Sequence, residues 1–427
     1  MQEFASRSRK WQPGRARATC NDGPVPAFQP FRGIRYSGDH DLGEVTSPPY
    51  DVIDADSRAA LVARADRNAV IFDLPDEADG ADRYQMAAAT FAAWRADGTL
   101  VEDPAPSFTV YRMAFRDAAG RPARTLGILG ALELSRPDEG QILPHEHTTP
   151  KAKTDRLDLL RATCANLSAI WVLSLTEGLT DLIEPDGAPD AQWTDPDDVE
   201  HAVWRVEDPA RLAAISATVG SGPVVVADGH HRYETSLAHR DERRAEAGPD
   251  TPLGSDQLLA LVVELTDREL HVAAIHRLVD GLAAEALLAE LGGAGFDIVG
   301  PTVRAEDVTG GTVLDQMATA GALALVAPDG SATLLRPRAA AFAGVADLDS
   351  ARVAHALASI DGAEVRYQHG VDLVQAAVVK GEADAGLLLR PATVAQIQAN
   401  ARSGERMPAK TTFFHPKPCT GVVFRDC

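Results

Sequence analysis

Residues 223–235 read PVVVADGHHRYET, an apolar run followed directly by a cluster of ionisable residues. Residues 223–227 are short, apolar and β-branched, which is typical of a buried strand. Asp228 and Gly229 end this run, and a helix is predicted from about His230 to the residue before Gly248, with Tyr233 on its inner face. The stretch therefore predicts a strand, a tight turn and a helix, with charged side chains gathered at the turn.

These charged side chains suit the binding of phosphate. A helix start presents free N–H groups and a partial positive charge, and Gly229 allows the backbone to approach a ligand closely. His230 and His231 can donate to phosphate oxygens or transfer protons near neutral pH, and Arg232 offers a bidentate fork. Asp228 is expected to orient a histidine or to hold a metal ion. The alternative is an exposed helix start capped by this aspartate.

Periodicity elsewhere predicts an α/β protein with a mixed sheet. Helices are predicted at 81–97 and at 154–164, with Thr154 as the N-cap, and Pro391 is expected to open a helix that contains Val394 and Ile397. Strands are predicted at 108–115, 126–134, 169–175, 258–265 and 383–389. Three regions are expected: a flexible extension at 1–27, a catalytic domain at 28–280, and a smaller α/β domain at 281–427 that contributes a loop with Lys410.

Composition limits the class of function. The net charge of −21 argues against non-specific nucleic-acid binding, which needs a broad basic face. The chain has four cysteines without a C-x-x-C pair, so neither a disulfide framework nor a zinc site is expected, and a reducing compartment fits best. No secretory signal and no run of about 20 apolar residues is found. We therefore expect a cytoplasmic protein with small-molecule partners and without membrane or nucleic-acid partners; the oligomeric state is left open.

A second cluster lies at residues 145–156. His145, Glu146 and Thr148 are followed by Lys153 and Arg156. The zinc motif H-E-x-x-H is not formed, because position 149 is threonine. Lysine and arginine here suit phosphate or carboxylate, the histidine and threonine suit substrate contacts, and the glutamate is a candidate base; the alternative is a solvated, charged loop.

Two further groups carry candidate site residues. Tyr50 and Asp51 follow a double proline that fixes a rigid loop before a short predicted strand, and the aspartate can accept a proton from a substrate hydroxyl or simply serve the turn. Asn166 and Ser168 can bind polar substrate groups, although asparagine at a helix end is often a C-cap.

Near the C-terminus, Lys410 and Thr411 can bind phosphate or a metal-bound nucleotide, and Lys417 lies nearby. No Walker loop precedes them, since G-x-x-x-x-G-K is missing. The alternative is a closing strand with a surface lysine.

Five of these motifs, in this order, resemble the bacterial and archaeal domain-of-unknown-function family 1015. The resemblance runs from about residue 30 to the C-terminus. Its motifs are Ser47-Pro-Pro-Tyr-Asp-Val-Ile53, His145-Glu-x-Thr148, Asp155-Arg-Leu157 with Asn166-Leu-Ser168, Val226-Ala-Asp-Gly-His-His-Arg-Tyr-Glu-Thr235 and Met407-Pro-x-Lys-Thr-Thr-Phe-Phe-x-Pro-Lys417.

The Asp-Gly-His-His-Arg signature is also similar to that of the free serine kinases. This resemblance implies a ParB/sulfiredoxin-like core, ATP or ADP and Mg²⁺ as cofactors, and contact between residues 228–232 and the nucleotide phosphates. It also implies an acidic base, which no motif aligns here; Asp51 and Glu146 are candidates from the chemistry of this chain. The signature cysteine of the sulfiredoxins is absent, so sulfinic-acid reduction is not expected.

The sequence thus predicts a phosphotransferase in serine metabolism, a nucleotide-dependent kinase of free L-serine or a similar amino acid. Two alternatives remain. One is a phosphatase acting on phosphoserine or a related small phosphoester, and the other is a nucleotide-binding regulatory protein without catalysis.

Overall fold

The larger of two main sheets is buried on both faces, as the apolar run at residues 258–263 indicates. Leu258, Ala260 and Val262 pack into one buried cluster, while residues 259, 261 and 263 pack into another on the opposite face. The computed structural model describes residues 26–117, 120–136, 139, 141–144, 153–248, 251–403, 407–408 and 410–427.

The strands of the described residues form two main sheets and three short pairs. The larger sheet has the order β6-β11-β8-β12-β5-β4-β10-β9, with β1 also paired to β5; β11 is parallel to β6 and β12 to β8, and the other pairs are antiparallel. The strands are β1 Phe28–Gln29, β2 Ile34–Tyr36, β3 Leu100–Glu102, β4 Phe108–Arg116, β5 Pro122–Glu133, β6 Ile142–Pro144, β7 Ala165–Asn166, β8 Ile170–Ser174, β9 Ala191–Thr194, β10 Glu200–Val206, β11 Val224–Asp228, β12 Gln257–Glu264, β13 Val272–Ala274, β14 His276–Asp280, β15 Phe296–Ile298, β16 Leu323–Val326, β17 Ala332–Pro337, β18 Glu364–Gln368, β19 Ala385–Leu388, β20 Thr412–Phe414 and β21 Arg425–Asp426.

Helices cover both main sheets, and among the described residues none is long and apolar enough to cross a membrane. A 3₁₀ turn at Tyr50–Val52 lies near the candidate site. The helices are α1 Leu42–Val45, α2 Ala55–Arg64, α3 Val70–Asp73, α4 Arg83–Ala96, α5 Lys153–Thr163, α6 Leu179–Ile183, α7 Pro209–Val219, α8 His230–Ala247, α9 Ala284–Ala294, α10 Ala305–Thr309, α11 Thr312–Ala320, α12 Asp349–Leu357, α13 Val371–Val379 and α14 Val394–Ser403.

The smaller sheet is antiparallel throughout, with the order β15-β17-β16-β19-β14-β18. Its strand β14 begins at His276, so the change from one sheet to the other falls just before the expected boundary at residue 280. The C-terminal segment (residues 410–427) packs against the larger sheet and forms two of the short pairs, β20 with β13 and β21 with β7. The division into domains at 28–280 and 281–427 stays a prediction.

The mixed α/β class is confirmed, and most predicted elements are found within a few residues of their expected bounds. Three local predictions are wrong. Thr154 is not the N-cap of α5, because the helix already begins at Lys153. Tyr50–Val52 forms a 3₁₀ turn instead of leading into a strand, because the Asp54 carboxylate accepts the Ser57 N–H at 2.8 Å and starts α2 immediately. Pro391 does not open α14: Thr393 and Gln396 form a capping box, and the helix begins at Val394. The extension expected at 1–27 lies outside the described residues up to position 25.

A buried histidine in the smaller sheet makes its stability depend on pH. His276 is 4% exposed, its Nδ1 accepts the Leu389 N–H at 3.1 Å, and burial lowers its pKa to about 4. The folded chain therefore binds fewer protons than the unfolded chain between this value and the ordinary 6.5, so stability falls as the pH is lowered through that window.

We expect this histidine to account for about 1 kcal/mol of unfolding free energy lost between about pH 7.5 and about pH 5.5. His276→Asn keeps an acceptor for the Leu389 N–H and should remove that part of the pH dependence, as measured by urea unfolding at both pH values. The exposed His355→Asn is the control and should keep it. An unchanged pH slope in His276→Asn would contradict the assignment.

Candidate functional site

The turn between β11 and α8 requires glycine at position 229. Gly229 has a φ of +86°, and a Cβ there would lie 3.0 Å from Ile170 Cγ2 and 3.1 Å from Arg232 Cζ. The turn directs the chain from the buried strand into an 18-residue helix, whose first turn begins with His230 and His231. The strand, turn and helix predicted from the sequence are thus confirmed, and the ionisable residues lie at the start of the helix.

Asp228, the last residue of β11, is held between two cations. One carboxylate oxygen accepts from Arg232 Nη2 at 2.9 Å, and the other accepts from Lys417 Nζ at 2.8 Å. Burial would raise the pKa of Asp228, but these two cations outweigh burial and lower it. The aspartate is therefore ionised, and its direct partners are a guanidinium and an ammonium group.

Lys417 joins this turn to the N-terminal loop. Its Nζ donates to Asp51 Oδ2 at 3.0 Å as well as to Asp228, and only 12% of its side chain is exposed. Burial opposes the charge, but the two carboxylates outweigh it and raise the pKa of Lys417. The backbones of Ser47 and Thr420 exchange hydrogen bonds of 3.1 and 2.8 Å, and this bridge brings the two segments together.

Tyr50 contacts two guanidinium groups on the same side of the site. The Arg156 Cζ lies 4.2 Å from the centre of the tyrosine ring, and the Arg232 Cζ lies 5.8 Å from it. Arg156 is almost fully buried and is held by the Asp73 carbonyl at 2.6 Å and by Asp155 Oδ2 at 2.8 Å. The ring and the two arginines therefore form a preorganised cationic wall.

Asp73, the last residue of α3, lies beside Arg156. It is 2% exposed, its Oδ1 lies 3.7 Å from Arg156 Nη1, and its Oδ2 accepts from Thr420 Oγ1 at 3.3 Å. Burial raises the pKa of Asp73, against the lowering effect of Arg156. The sequence analysis did not single out this residue, because a lone aspartate after an apolar turn carries no local signal.

A small cavity lies behind the arginines, and two of the predicted substrate contacts line it. Ser168 and Asn166 both face it, together with Asp73, Arg156, Arg232 and Thr235. The Asn166 amide oxygen accepts the Leu259 N–H at 2.9 Å, so it also fixes β7 against β12. Arg232 Nε is buried without a hydrogen-bond partner among the described residues, which leaves one donor available at this wall.

The structure thus brings together Tyr50, Asp51, Arg156, Asp228 and Arg232, with both histidines on the adjoining helical turn. The structure adds Lys417, which the sequence analysis named as the end of the last family motif but did not choose as a site residue. The motif Phe413-Phe-x-Pro-Lys417 was the available signal, because it ends in the lysine that reaches the site.

Other predicted site residues lie elsewhere or outside the described part of the chain. Lys410 is exposed on a turn, and its carbonyl accepts from Arg277 Nη2 at 3.1 Å. The hydroxyl of Thr411 is buried and lies 2.9 Å from Ser350 Oγ. His145, Glu146 and Thr148, as well as the side chain of Lys153, lie outside the described residues, so their roles stay predictions.

The donor set fits both a phosphate group and Mg²⁺. Phosphate is favoured by the first-turn N–H groups of α8 and by the cations of Arg232 and Lys417. Mg²⁺ prefers carboxylate oxygens, and Asp51 and Asp228 supply them from two sides of one ammonium group. Both carboxylates are already balanced by cations, so a ligand that carries both signs of charge fits better than a bare anion.

Solved structures that resemble this chain share little of its sequence. A free serine kinase in complex with AMP has a TM-score of 0.34 and 13% identity, over 64% of this chain and 83% of that chain. SbnI from Staphylococcus aureus, with a C-terminal truncation, has a TM-score of 0.37 and 13% identity, over 69% and 86%. A conserved hypothetical protein from Pyrococcus furiosus has a TM-score of 0.33 and 14% identity, over 64% and 86%.

One family model matches most of the chain. A search of curated proteins gives no match. The family model described as "Protein of unknown function (DUF1015)" matches residues 28–356, which include the turn at Gly229 and the loop of Asp51. Because this match spans most of its length, the chain belongs to the DUF1015 family.

Proposed function

We propose that this protein is a nucleotide-dependent phosphotransferase that phosphorylates the hydroxyl group of a small metabolite, with free L-serine or a similar amino acid as the first candidate. The observation that carries the proposal is the Lys417 ammonium, which is shared by Asp51 and Asp228 at the start of α8. A phosphate-binding ammonium group, a candidate base (Asp51) and a candidate metal ligand (Asp228) thereby lie within reach of one another. The Asp-Gly-His-His-Arg resemblance described above supports the same chemistry.

The residues at the turn bind and orient the phosphates. The first-turn N–H groups of α8 face them, Gly229 gives them room, and His230, His231 and Arg232 donate to their oxygens. Bound Mg²⁺ would supply charge neutralisation at the transferred phosphoryl group, and Asp228 is its ligand in this proposal. Phosphoryl transfer depends chiefly on position and charge stabilisation, which this preorganised set provides.

Asp51 accepts the proton of the substrate hydroxyl. In the structure its Oδ2 is bound to Lys417, and 40% of its side chain is exposed, so a substrate can approach it. When Lys417 turns towards an incoming phosphate oxygen, its hold on Asp51 weakens and the carboxylate becomes available as a base. Phosphate binding and base activation are coupled in this way through one side chain.

The proposal is tested by a metabolite screen. The full-length protein is incubated with ATP or ADP, Mg²⁺ and a mixture of hydroxylated metabolites that includes L-serine, and products are read by mass spectrometry. A phosphorylated product that disappears in His231→Ala is expected. Equal product with this variant would refute the site. Phosphate release from phosphoserine without any nucleotide would replace the kinase by a phosphatase, and nucleotide binding without turnover would point to a regulatory protein.

Asp51→Asn should lower kcat by about 10²- to 10⁴-fold, because it removes the base while keeping the side-chain shape. The dissociation constant of the nucleotide, measured by calorimetry, should change little. The control is Asp39→Asn, an exposed aspartate in the same N-terminal region. A fall in nucleotide affinity with kcat preserved would mean that the aspartate binds phosphate or metal instead of acting as the base.

Lys417→Ala should weaken nucleotide binding by about 10-fold or more, since a charge-assisted hydrogen bond contributes about 1.5–3 kcal/mol. Lys417→Arg keeps the charge and should recover part of the affinity. Lys380→Ala removes one positive charge from an exposed position at the end of α13 and is the matched control. Equal affinities of Lys417→Ala and Lys380→Ala would exclude a direct role for Lys417.

A further inference from the structure

A second group of possible ligands lies beside the candidate site and is used by none of the steps above. Asp195, between β9 and β10, His201 on β10 and Cys419 in the C-terminal segment each present one donor atom. The His201 Nε2 lies 3.0 Å from Asp195 Oδ2 and 3.7 Å from Cys419 Sγ, and all three donor atoms lie within 4.8 Å of one another. Two donors from the β9–β10 hairpin thus converge with Cys419, which follows His201 by 218 residues.

The aspartate is fixed by its own turn. Its Oδ1 accepts the backbone N–H groups of Asp197 and Val199 at 2.9 and 3.0 Å. The second oxygen therefore projects towards the imidazole of His201, and 23% of the Asp195 side chain is exposed. A carboxylate that is anchored by one oxygen is preorganised to bind a metal through the other.

The other two donors are held from behind by aromatic residues. Trp193 stacks on the His201 ring with centroids 5.1 Å apart and planes 16° apart. The Tyr111 hydroxyl lies 2.7 Å from His201 Nδ1, and it also accepts the Cys419 N–H at 3.2 Å. A partner on Nδ1 sets the ring orientation so that Nε2 faces the other two donors, as in many histidine metal sites.

We propose that Asp195, His201 and Cys419 bind a single divalent transition-metal ion, with Zn²⁺ as the best match. Thiolate, imidazole and carboxylate are zinc ligands, and three protein ligands leave a fourth position for water or another ligand. Zinc bound to one thiolate, one carboxylate and a neutral imidazole is formally neutral, so the metal-bound state places no net charge in a half-buried site; the thiol proton is released to solvent on binding. The sequence analysis expected no zinc site, because the cysteines form no C-x-x-C pair and H-E-x-x-H is broken at position 149; residues 195, 201 and 419 form no known zinc-binding motif.

The same atoms also support a metal-free network. On metal binding the Cys419 thiol releases its proton to solvent, and the His201 proton moves from Nε2 to Nδ1. Without metal, His201 Nε2–H donates to Asp195, the Tyr111 hydroxyl donates to Nδ1, and the phenol oxygen accepts from Cys419 N–H. With metal, Nε2 is a ligand, and the proton lies on Nδ1 and donates to the phenol oxygen. In the metal-free network the sulfur makes a contact of 3.7 Å with His201 Nε2, whereas only the metal-bound state makes it a thiolate ligand, so the sulfur is the group that distinguishes the two states.

The proposed metal site takes no part in the proposed kinase reaction, but it lies close to the candidate functional site. A small cavity is lined by Tyr111, Cys419, Ser168 and Arg232, and the last two residues also line the wall of the candidate site. A metal bound to Cys419 would fix the backbone two positions after Lys417. The ion would therefore stabilise the C-terminal segment in the position that the candidate site needs.

The test uses the full-length protein, freed of metal by a chelator and then titrated with Zn²⁺ or Co²⁺. One equivalent of zinc is expected to bind and to raise Tm. Cobalt should give the visible bands of a tetrahedral ion and an ultraviolet thiolate-to-cobalt charge-transfer band. Cys419→Ser should remove the charge-transfer band and weaken zinc binding by about 10-fold or more. Asp195→Asn should weaken binding while keeping the thiolate band.

Cys164→Ser is the control, because it removes an exposed thiol that lies in a different element. It should leave stoichiometry, spectra and Tm unchanged. The proposal is overturned if the wild-type protein binds less than one equivalent, or if Cys419→Ser and Cys164→Ser have the same cobalt spectra. The Tm of each metal-free variant confirms that it is folded, and a failed kinase screen would leave these results unaffected.

Discussion

One ammonium group, Lys417 Nζ, holds together the parts of the molecule on which the candidate site depends. It pairs with Asp51, 366 residues away in sequence, and with Asp228 at the end of β11. Carboxylates that lose part of their hydration are costly unless a cation compensates them. The C-terminal segment brings this cation to the candidate site, and it is held there by the pairs of β20 with β13 and of β21 with β7 and by the backbone bridge between Ser47 and Thr420.

Burial of apolar side chains stabilises the C-terminal segment in this position. Phe424 is fully buried and contacts the rings of Tyr36, Phe72 and Phe91, which lie on β2, α3 and α4. The same α3 ends in Asp73, whose carbonyl positions Arg156. Hydrophobic burial at one end of the segment thus helps to position the charged groups at the other, although the site combines loops from both ends of the chain.

Local patterns in the sequence predict the frame of the site but not all of its members. The strand, the Gly229 turn and the start of α8 depend on neighbouring residues, and periodicity and glycine therefore reveal them. Asp73 and the proposed metal site, in which Cys419 joins Asp195 and His201, depend on contacts between distant segments, which no spacing encodes. Lys410 and Lys417 share one motif, and only the fold decides between them: the first lies on an exposed turn, and the second follows β20 into the site.

The C-terminal segment carries both the lysine of the candidate site and the cysteine of the proposed metal site. The closeness of these two residues has a thermodynamic consequence for ligand binding. Lys417 faces the carboxylates of Asp51 and Asp228, whereas Cys419 faces His201 on β10 and Asp195 in the turn before it. Both side chains need the same backbone position, and ordering that backbone costs conformational entropy only once. A metal ion at the cysteine would therefore favour nucleotide binding at the lysine, and linkage requires the nucleotide to favour the metal by the same factor. The net charge of −21 does not oppose the binding of an anionic nucleotide, because charges of opposite sign balance one another within each cluster.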